Sequence, residues 1–361
     1  MIKRLVSYYK KQLKNVENFK KNSEYMLPGK YTYDNTLTYI YLKDHETSNR
    51  IIEMFKNSAP ALAFNQLSLK AIILFIMKIR FSKDLNIRDQ GIKNRRFQGT
   101  AYLPDRKESG SKIFDLINNK VITFFGDKGE YNHKINSYLH FKQYFDAPNI
   151  TENDKSELLL IEDYIESKNN SDWDGKDFDY VIEDIFERSI RYFRDCKKRK
   201  EYRLDNPLSF IDNISTENLI SPFKKKHITE ELESVKYPFI RLHGDLWTSN
   251  ILININNDND IYYIDWERSK DFIIFYDFFS LIWNEVYHKG NSIYLEKYMS
   301  GQYDEYFIEI FQIFEMSYKR ECRKEYFSVF FLNYLNDWLD APDALKYEYI
   351  YNKYEEIITG I

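Results

Sequence analysis

Cysteine is scarce. Cys196 and Cys322 are the only two, too few for a disulfide framework, and a reducing compartment suits such a chain. Charge of one sign is not in excess: a net charge of −4 over 361 residues implies no polyanionic partner such as nucleic acid. Long apolar runs are missing too. The most apolar stretch, residues 71–77 (AIILFIM), stops at Lys78, far short of the ~20 residues a membrane span needs. It reads as a buried helix, with an interfacial membrane helix as the other reading. The stretch MIKRLVSYYKKQLKNVENFKK has no apolar core of signal-peptide length, so a cytoplasmic location is expected. The six histidines are scattered without metal-ligand spacing, and no zinc site, cysteine nucleophile or Ser-His-Asp set is readable. Internal repeats and low-complexity linkers are absent as well.

What is present is ordinary in bulk and unusual in detail. Apolar residues make up 43% and charged residues 30%, as in a globular protein, and the length suggests about two domains or lobes. Aromatic content is high at 17%, with 31 Tyr and 27 Phe, read as coding bias. Residues 1–97 read mainly as helix with polar breaks. From Gly99 the text turns strand-like: GTAYLP, KIFDLI and KVITFF are short runs of β-branched and aromatic residues. Asn118-Asn119 separates the last two and tolerates the positive φ of a tight hairpin. A helix is expected around residues 134–144 and a buried strand in ELLLIEDYIES. Phe178, Val181, Ile182, Ile185, Ser189, Ile190 and Phe193 recur at helical spacing. Residues 214–223 form a further short helix with Ser215 or Thr216 as its start. Turn and strand run from Ile240 toward Trp283, and the tail from Ile293 is aromatic-rich helix.

The chemistry concentrates in two segments, RLHGDLWTSNIL from Arg241 and IYYIDWE from Ile261. Phosphoryl transfer asks little covalent help of a protein; it needs a hydroxyl held in line and charge neutralised on the phosphates. Mg²⁺ takes a few hard oxygen ligands and keeps some waters. Asp245 and Asn250, five apart across a short loop, can place a carboxylate at the nucleophile and an amide oxygen at a metal. Asp265 ends an apolar strand, where a carboxylate is held rigidly. The intervening NINNDND is a turn, so a hairpin brings Asn250 and Asp265 together.

His243-Gly244-Asp245-Leu246 with Asn250 resembles the catalytic loop of the aminoglycoside phosphotransferase, choline kinase and fructosamine kinase superfamily, whose members carry Gly where protein kinases usually carry Arg. Leu246-Trp247 is similar to fructosamine kinases in particular. Ile264-Asp265-Trp266-Glu267, followed by Phe275-Tyr276-Asp277-Phe278, resembles the second metal motif and its trailing Asp. The resemblance covers roughly residues 99–281. It implies an α+β, protein-kinase-like two-lobe fold with a small antiparallel-sheet N-lobe, a mainly helical C-lobe and an extra helical N-terminal segment. The implied division is 1–97 for the extension, 98–165 for the nucleotide-binding lobe and hinge, and 166–361 for the catalytic and substrate-binding lobe. ATP and Mg²⁺ are the implied cofactors, and the acceptor is a small-molecule hydroxyl on a sugar or polyol, an aminoglycoside or an amino alcohol. Asp245 and His243 are the implied catalytic residues; Asn250 and Asp265 the metal ligands. Ser109, Gly110, Ser111 and Lys112 resemble the nucleotide-positioning loop, and the backbone near Glu162 and Asp163, with Tyr164 nearby, the adenine-binding hinge. Asp277 either braces the catalytic loop or caps the following helix. Trp283, Glu285, Asp337, Trp338 and Asp340 are candidate acceptor-lining residues, and equally a helix-packing face.

One departure stands out. The superfamily places a Lys on the third strand, paired with a Glu on the next helix. Here Thr123 falls at the Lys position, and Lys134 lies near the position of the Glu. A swap in which Lys134 reaches in from the helix keeps one positive charge for the phosphates; Lys112, Lys120 and Lys128 are the other replacements. Without any such Lys the alternative is a non-catalytic nucleotide-binding or scaffold protein. No APE-like motif of a protein kinase follows Asp265. Oligomeric state is not readable.

Overall fold

The computed structural model describes residues 2–55, 69–89, 96–105, 110–208, 217–257, 260–338 and 344–360. The chain divides into two compact units: Met1–Asn136 with Ala147–Asp172 and Asn254–Asn259, and Ser137–Asp146 with Trp173–Ile253 and Asp260–Ile361.

In the first unit, which holds α4 only as far as Asn136, the described elements run α1 (Ile2–Lys21), β1 (Gly29–Tyr33), β2 (Ile40–Leu42), α2 (Ser48–Phe55), α3 (Leu69–Ser82), β3 (Asn86–Ile87), β4 (Ala101–Pro104), β5 (Ser111–Asp115), β6 (Lys120–Phe124), α4 (Lys128–Phe141), β7 (Ile150–Asp154) and β8 (Leu159–Asp163). The strands form one eight-stranded sheet in the order β3-β1-β2-β4-β5-β6-β8-β7, antiparallel at every pairing. The Asn118-Asn119 hairpin is as expected. Asn119 takes φ 52°, and the buried Asp115 carboxylate accepts from the Asn118 backbone N–H at 2.9 Å and side chain at 2.7 Å.

The first 97 residues, read from the sequence as mainly helix, also supply β1, β2 and β3. Tyr31 and Tyr33 alternate with Lys30 and Thr32, a period-2 signal too short to stand out. The turn after β1 is built by Asp34, whose carboxylate accepts backbone N–H groups of Thr36 at 2.8 Å, Thr38 at 2.6 Å and Tyr39 at 3.1 Å. One sheet face packs Tyr31, Tyr33, Ile40, Leu42, Tyr102, Ile113, Ile122 and Ile161 against Val16 and Phe19 of α1 and Leu74, Met77 and Phe81 of α3. Within the apolar run 71–77, read as a buried helix, Leu74 and Met77 are buried but Phe75 is 64% and Ile76 60% exposed. Among the described residues no helix is long and apolar enough to cross a membrane.

The second unit is mainly helical: α5 (Gly175–Arg199), β9 (Arg203–Asp205), α6 (Glu217–His227), α7 (Glu230–Ser234), β10 (Tyr237–Leu242), β11 (Ile251–Ile253), β12 (Ile261–Tyr263), β13 (Lys270–Ile273), α8 (Tyr276–Lys289), α9 (Ile293–Met299), α10 (Asp304–Ile313), α11 (Arg323–Trp338) and α12 (Ala344–Thr359). The apolar positions of α5 read from the sequence are buried, with an Asp174–Asp177 capping box at its start. Ser215 and Thr216, the expected start of α6, lie outside the described residues. The aromatic richness fills this unit's core: Phe279, Phe307, Phe327 and Phe330 pack edge-on and stacked around one another. An antiparallel sheet in the first unit and helices in the second match the α+β class expected.

Candidate functional site

Both chemical segments hang between two paired strands. β10 pairs antiparallel with β13, Leu242 opposite Lys270, and the chain leaves β10 directly into His243. Gly244 has φ +78°, and a Cβ there would lie 2.7 Å from the Arg268 carbonyl oxygen and 2.4 Å from a Phe272 ring carbon. Glycine is required on both counts. His243 is 2% exposed and both ring nitrogens are engaged: Nε2–H donates to the Ile264 carbonyl at 2.8 Å, which leaves Nδ1 to accept from the Asp245 N–H at 3.3 Å. The ring that the sequence reading grouped with Asp245 as catalytic is a brace between the loop and the strand end.

Asp277 settles its own alternative. Its carboxylate accepts the backbone N–H groups of His243 and Gly244, each at 2.8 Å, while α8 starts at Phe275 with no side-chain cap. It braces the loop. Burial pushes its pKa up to about 7, against the lowering by those two donors.

Asp245, Asn250 and Asp265 come together as the hairpin requires. β11 and β12 pair with Ile251 opposite Tyr263, and the Ile264 N–H donates to the Asn250 carbonyl at 3.0 Å. Asn250 Nδ2 donates to the Asp245 carbonyl at 2.8 Å and leans toward its carboxylate at 3.4 Å, so the amide oxygen is turned to be an acceptor. Asp265 sits at φ 68°, ψ 46°, a left-handed conformation that Asp tolerates better than most residues. Asp245 is raised to about 7, first by burial, then by the charge of Asp265, with Arg268 opposing. Two carboxylates and an amide oxygen make a hard-oxygen donor set whose mutual repulsion a divalent cation would relieve. That set fits Mg²⁺, although no group of three or more His, Cys, Asp or Glu positioned to hold a metal exists among the described residues.

Sequence reasoning missed Arg268, three residues beyond Asp265 in the same turn. Its Nη2 donates to the Asp337 carboxylate at 2.7 Å and carbonyl at 3.2 Å. Glu285 accepts from Thr248 Oγ1 at 3.0 Å and pairs with Lys289 at 2.8 Å, which ties α8 to the catalytic loop. Trp283 is fully buried in the core, a packing residue, and Asp340 lies outside the described residues.

In the first unit, Ser109 lies outside the described residues. Gly110 closes the β4–β5 hairpin, its carbonyl accepting from the Asp105 N–H at 3.0 Å. Ser111 is buried, and its Oγ accepts from Asn22 Nδ2 at 3.3 Å. Lys112 stands opposite Thr123 in register; Thr123 in turn faces Leu160, and Val121 faces Glu162. Parity along the strands puts Lys112, Thr123 and Glu162 on one sheet face, the face away from α1 and α3. Thr123 Oγ1 is buried without a hydrogen-bond partner. Lys134 of α4 is buried and its Nζ lies 3.4 Å from Glu162 Oε1, while Lys120 pairs with Asp163 at 2.5 Å. The helix lysine thus forms an ion pair with a carboxylate of β8, the strand next to the one that carries Thr123. The hinge reading needs revision. The N–H groups of Asp163 and Tyr164 already donate to Asn149 and Asn119 carbonyls at 3.0 and 2.9 Å, and Glu162 is paired with strands on both sides. Tyr164 packs edge-on to Phe114 at 6.5 Å, with the Arg50 guanidinium 5.2 Å from its ring centroid.

No curated protein matches the sequence. Solved structures similar to the chain include the choline kinase LicA from Streptococcus pneumoniae, at 15% identity over 72% of this chain and 91% of that one, with a TM-score of 0.41. A choline/ethanolamine kinase family protein from Mesorhizobium loti gives 12%, 64%, 74% and 0.36. The aminoglycoside phosphotransferase APH(3'')-Id from Streptomyces rimosus gives 12%, 65%, 92% and 0.36. The stretch that carries His243, Asp245, Asn250, Asp265 and Asp277 lies within residues 211–307, and it is these residues that match the phosphotransferase enzyme family, in accord with the aminoglycoside and choline kinase resemblance of the sequence.

Proposed function

We propose that the chain is a small-molecule kinase that moves the γ-phosphoryl group of ATP to a hydroxyl. The observation that carries this reading is the hairpin that sets Asn250 and Asp265 beside Asp245. Asp245 orients the acceptor hydroxyl and takes its proton as the new O–P bond forms and the bond to the β-phosphate oxygen breaks, with ADP leaving. Asn250 through its amide oxygen and Asp265 through its carboxylate would hold Mg²⁺, which supplies charge neutralisation on the phosphates. His243 and Asp277 position the loop. Gly110, Ser111 and Lys112 would lie along the nucleotide, with the adenine edge read by backbone beyond Tyr164. A non-catalytic nucleotide-binding protein is the second reading, favoured by Thr123 where a strand lysine is expected. The buried Lys134 supports the first reading. Its pair with Glu162 puts a cation on the sheet face that carries Thr123.

The test is incubation of the purified protein with ATP, Mg²⁺ and a metabolite mixture, following phosphorylated products by mass. Appearance of a product with matching ADP release is expected; absence of both nucleotide binding and transfer overturns the reading in favour of the scaffold.

A second expectation concerns the swap. A charge-assisted contact to phosphate is worth roughly 1.5–3 kcal/mol. Lys134→Met combined with Glu162→Gln, which leaves no unpaired charge in the interior, should therefore lower kcat/KM for ATP by roughly 10- to 150-fold. Lys120→Ala, whose partner is Asp163, should leave it near wild type. Equal values for all variants would remove Lys134 from the phosphate site.

A further inference from the structure

Resting on the kinase reading above, the charges around Asp245 select the acceptor. A cationic acceptor, such as an aminoglycoside amine or a quaternary amino alcohol, needs carboxylates not already neutralised by the protein itself. Asp265 and Asp277 act on Asp245 as like charges, and Arg268 opposes them. Asp265 is assigned to the metal and Asp277 is consumed by the backbone of His243 and Gly244. The next acids outward are neutralised in place. Asp337, its side chain 5% exposed, is held by Arg268 at 2.7 Å and also by Lys270. Glu285, equally buried, is held by Lys289 at 2.8 Å and accepts from Thr248 of the catalytic loop. Both lysines and the arginine remain partly exposed, so in these pairs the cationic groups, not the carboxylates, face solvent. Trp247, half-buried within the loop and 6.0 Å from the His288 ring, adds an aromatic face of the kind that packs on a sugar ring.

We infer that the acceptor is a neutral polyhydroxyl compound, a sugar or polyol without an ammonium group, and that Lys270 and Lys289 determine this by masking Asp337 and Glu285. Each lysine neutralises a carboxylate that would otherwise attract an amine.

The experiment compares kcat/KM for a neutral sugar panel, the matching amino sugars and choline, using full-length protein with ATP and Mg²⁺. Consumption of ATP is read alongside product. Neutral acceptors should be preferred by about tenfold or more, the scale of one charge-assisted contact. Lys270→Met and Lys289→Met, which unmask the two acids, should shift the ratio toward amines by a similar factor. A preference for amino sugars or choline in the wild type, or an unchanged ratio in both variants, overturns the inference and leaves the kinase reading intact. No transfer to any acceptor together with no ATP consumption overturns the kinase reading itself, and the inference with it.

Discussion

Asp245→Asn lowers turnover by about 10²-fold or more, the usual worth of a positioned general base, with nucleotide affinity little changed. The amide keeps the shape and loses the ability to take a proton. The same substitution should stabilise the metal-free protein. Burial and the neighbouring Asp265 raise the Asp245 pKa to about 7, so the folded protein holds this proton more tightly than the unfolded chain does. The stability that protonation confers is present in full below the ordinary carboxylate range and is lost as pH rises toward about 7. Above that pH the ionised carboxylate penalises the fold, and asparagine removes the penalty. We expect the variant's thermal midpoint without metal to exceed that of wild type by about 2–4 °C at pH 8, the difference shrinking toward pH 4. Asp277 is common to both proteins and cancels. Wild-type turnover in Asp245→Asn would take the residue out of the chemistry. A lower midpoint at pH 8 would show that its charge is compensated in the fold.

Asp265→Ala abolishes the metal dependence of nucleotide binding. The carboxylate is the one anionic ligand in the proposed pair with Asn250, and a hard divalent cation without it keeps only an amide oxygen. Titration calorimetry with ATP, with and without Mg²⁺, should give different Kd values for wild type and converging values for the variant. A persistent metal dependence in Asp265→Ala would move the metal elsewhere. The position also has a backbone consequence. Asp265 sits in the left-handed region, which Asp tolerates and Ala does less well. Asp265→Asn, which keeps that tolerance while removing the charge, should therefore lose metal dependence with a smaller loss of stability than Asp265→Ala. That comparison separates the ligand's charge from the loop's conformation.

The order of the chemistry was legible because its spacing is local. His243, Gly244, Asp245 and Asn250 lie within one loop, and Asp265 returns through a hairpin whose turn is written in NINNDND. Short-range geometry of this kind survives in the text. So did the Asn118-Asn119 hairpin and the apolar face of α5, where one residue type or one period decides the structure. α8 was harder to see, since a helix buried on nearly every side has no polar stripe to set its period.

The meeting of a carboxylate, an amide and a second carboxylate at the end of a hairpin follows from local spacing, and Thr123 in place of a strand lysine is read directly from the residues. The ion pair beside Thr123 could not be read from the text. The Lys134–Glu162 pair joins a helix to a strand, and its members are 28 positions apart, a pairing set by which sheet face α4 covers. Tertiary structure also decided that residues 1–97 extend the sheet and cover its back, since strand pairing over such separations leaves no local mark beyond a brief alternation of Tyr31 and Tyr33. The same holds for the neutralisation of Asp337 by Arg268 and Lys270. Charge in a sequence is a count, whereas charge in a site depends on which opposite group burial has placed against it.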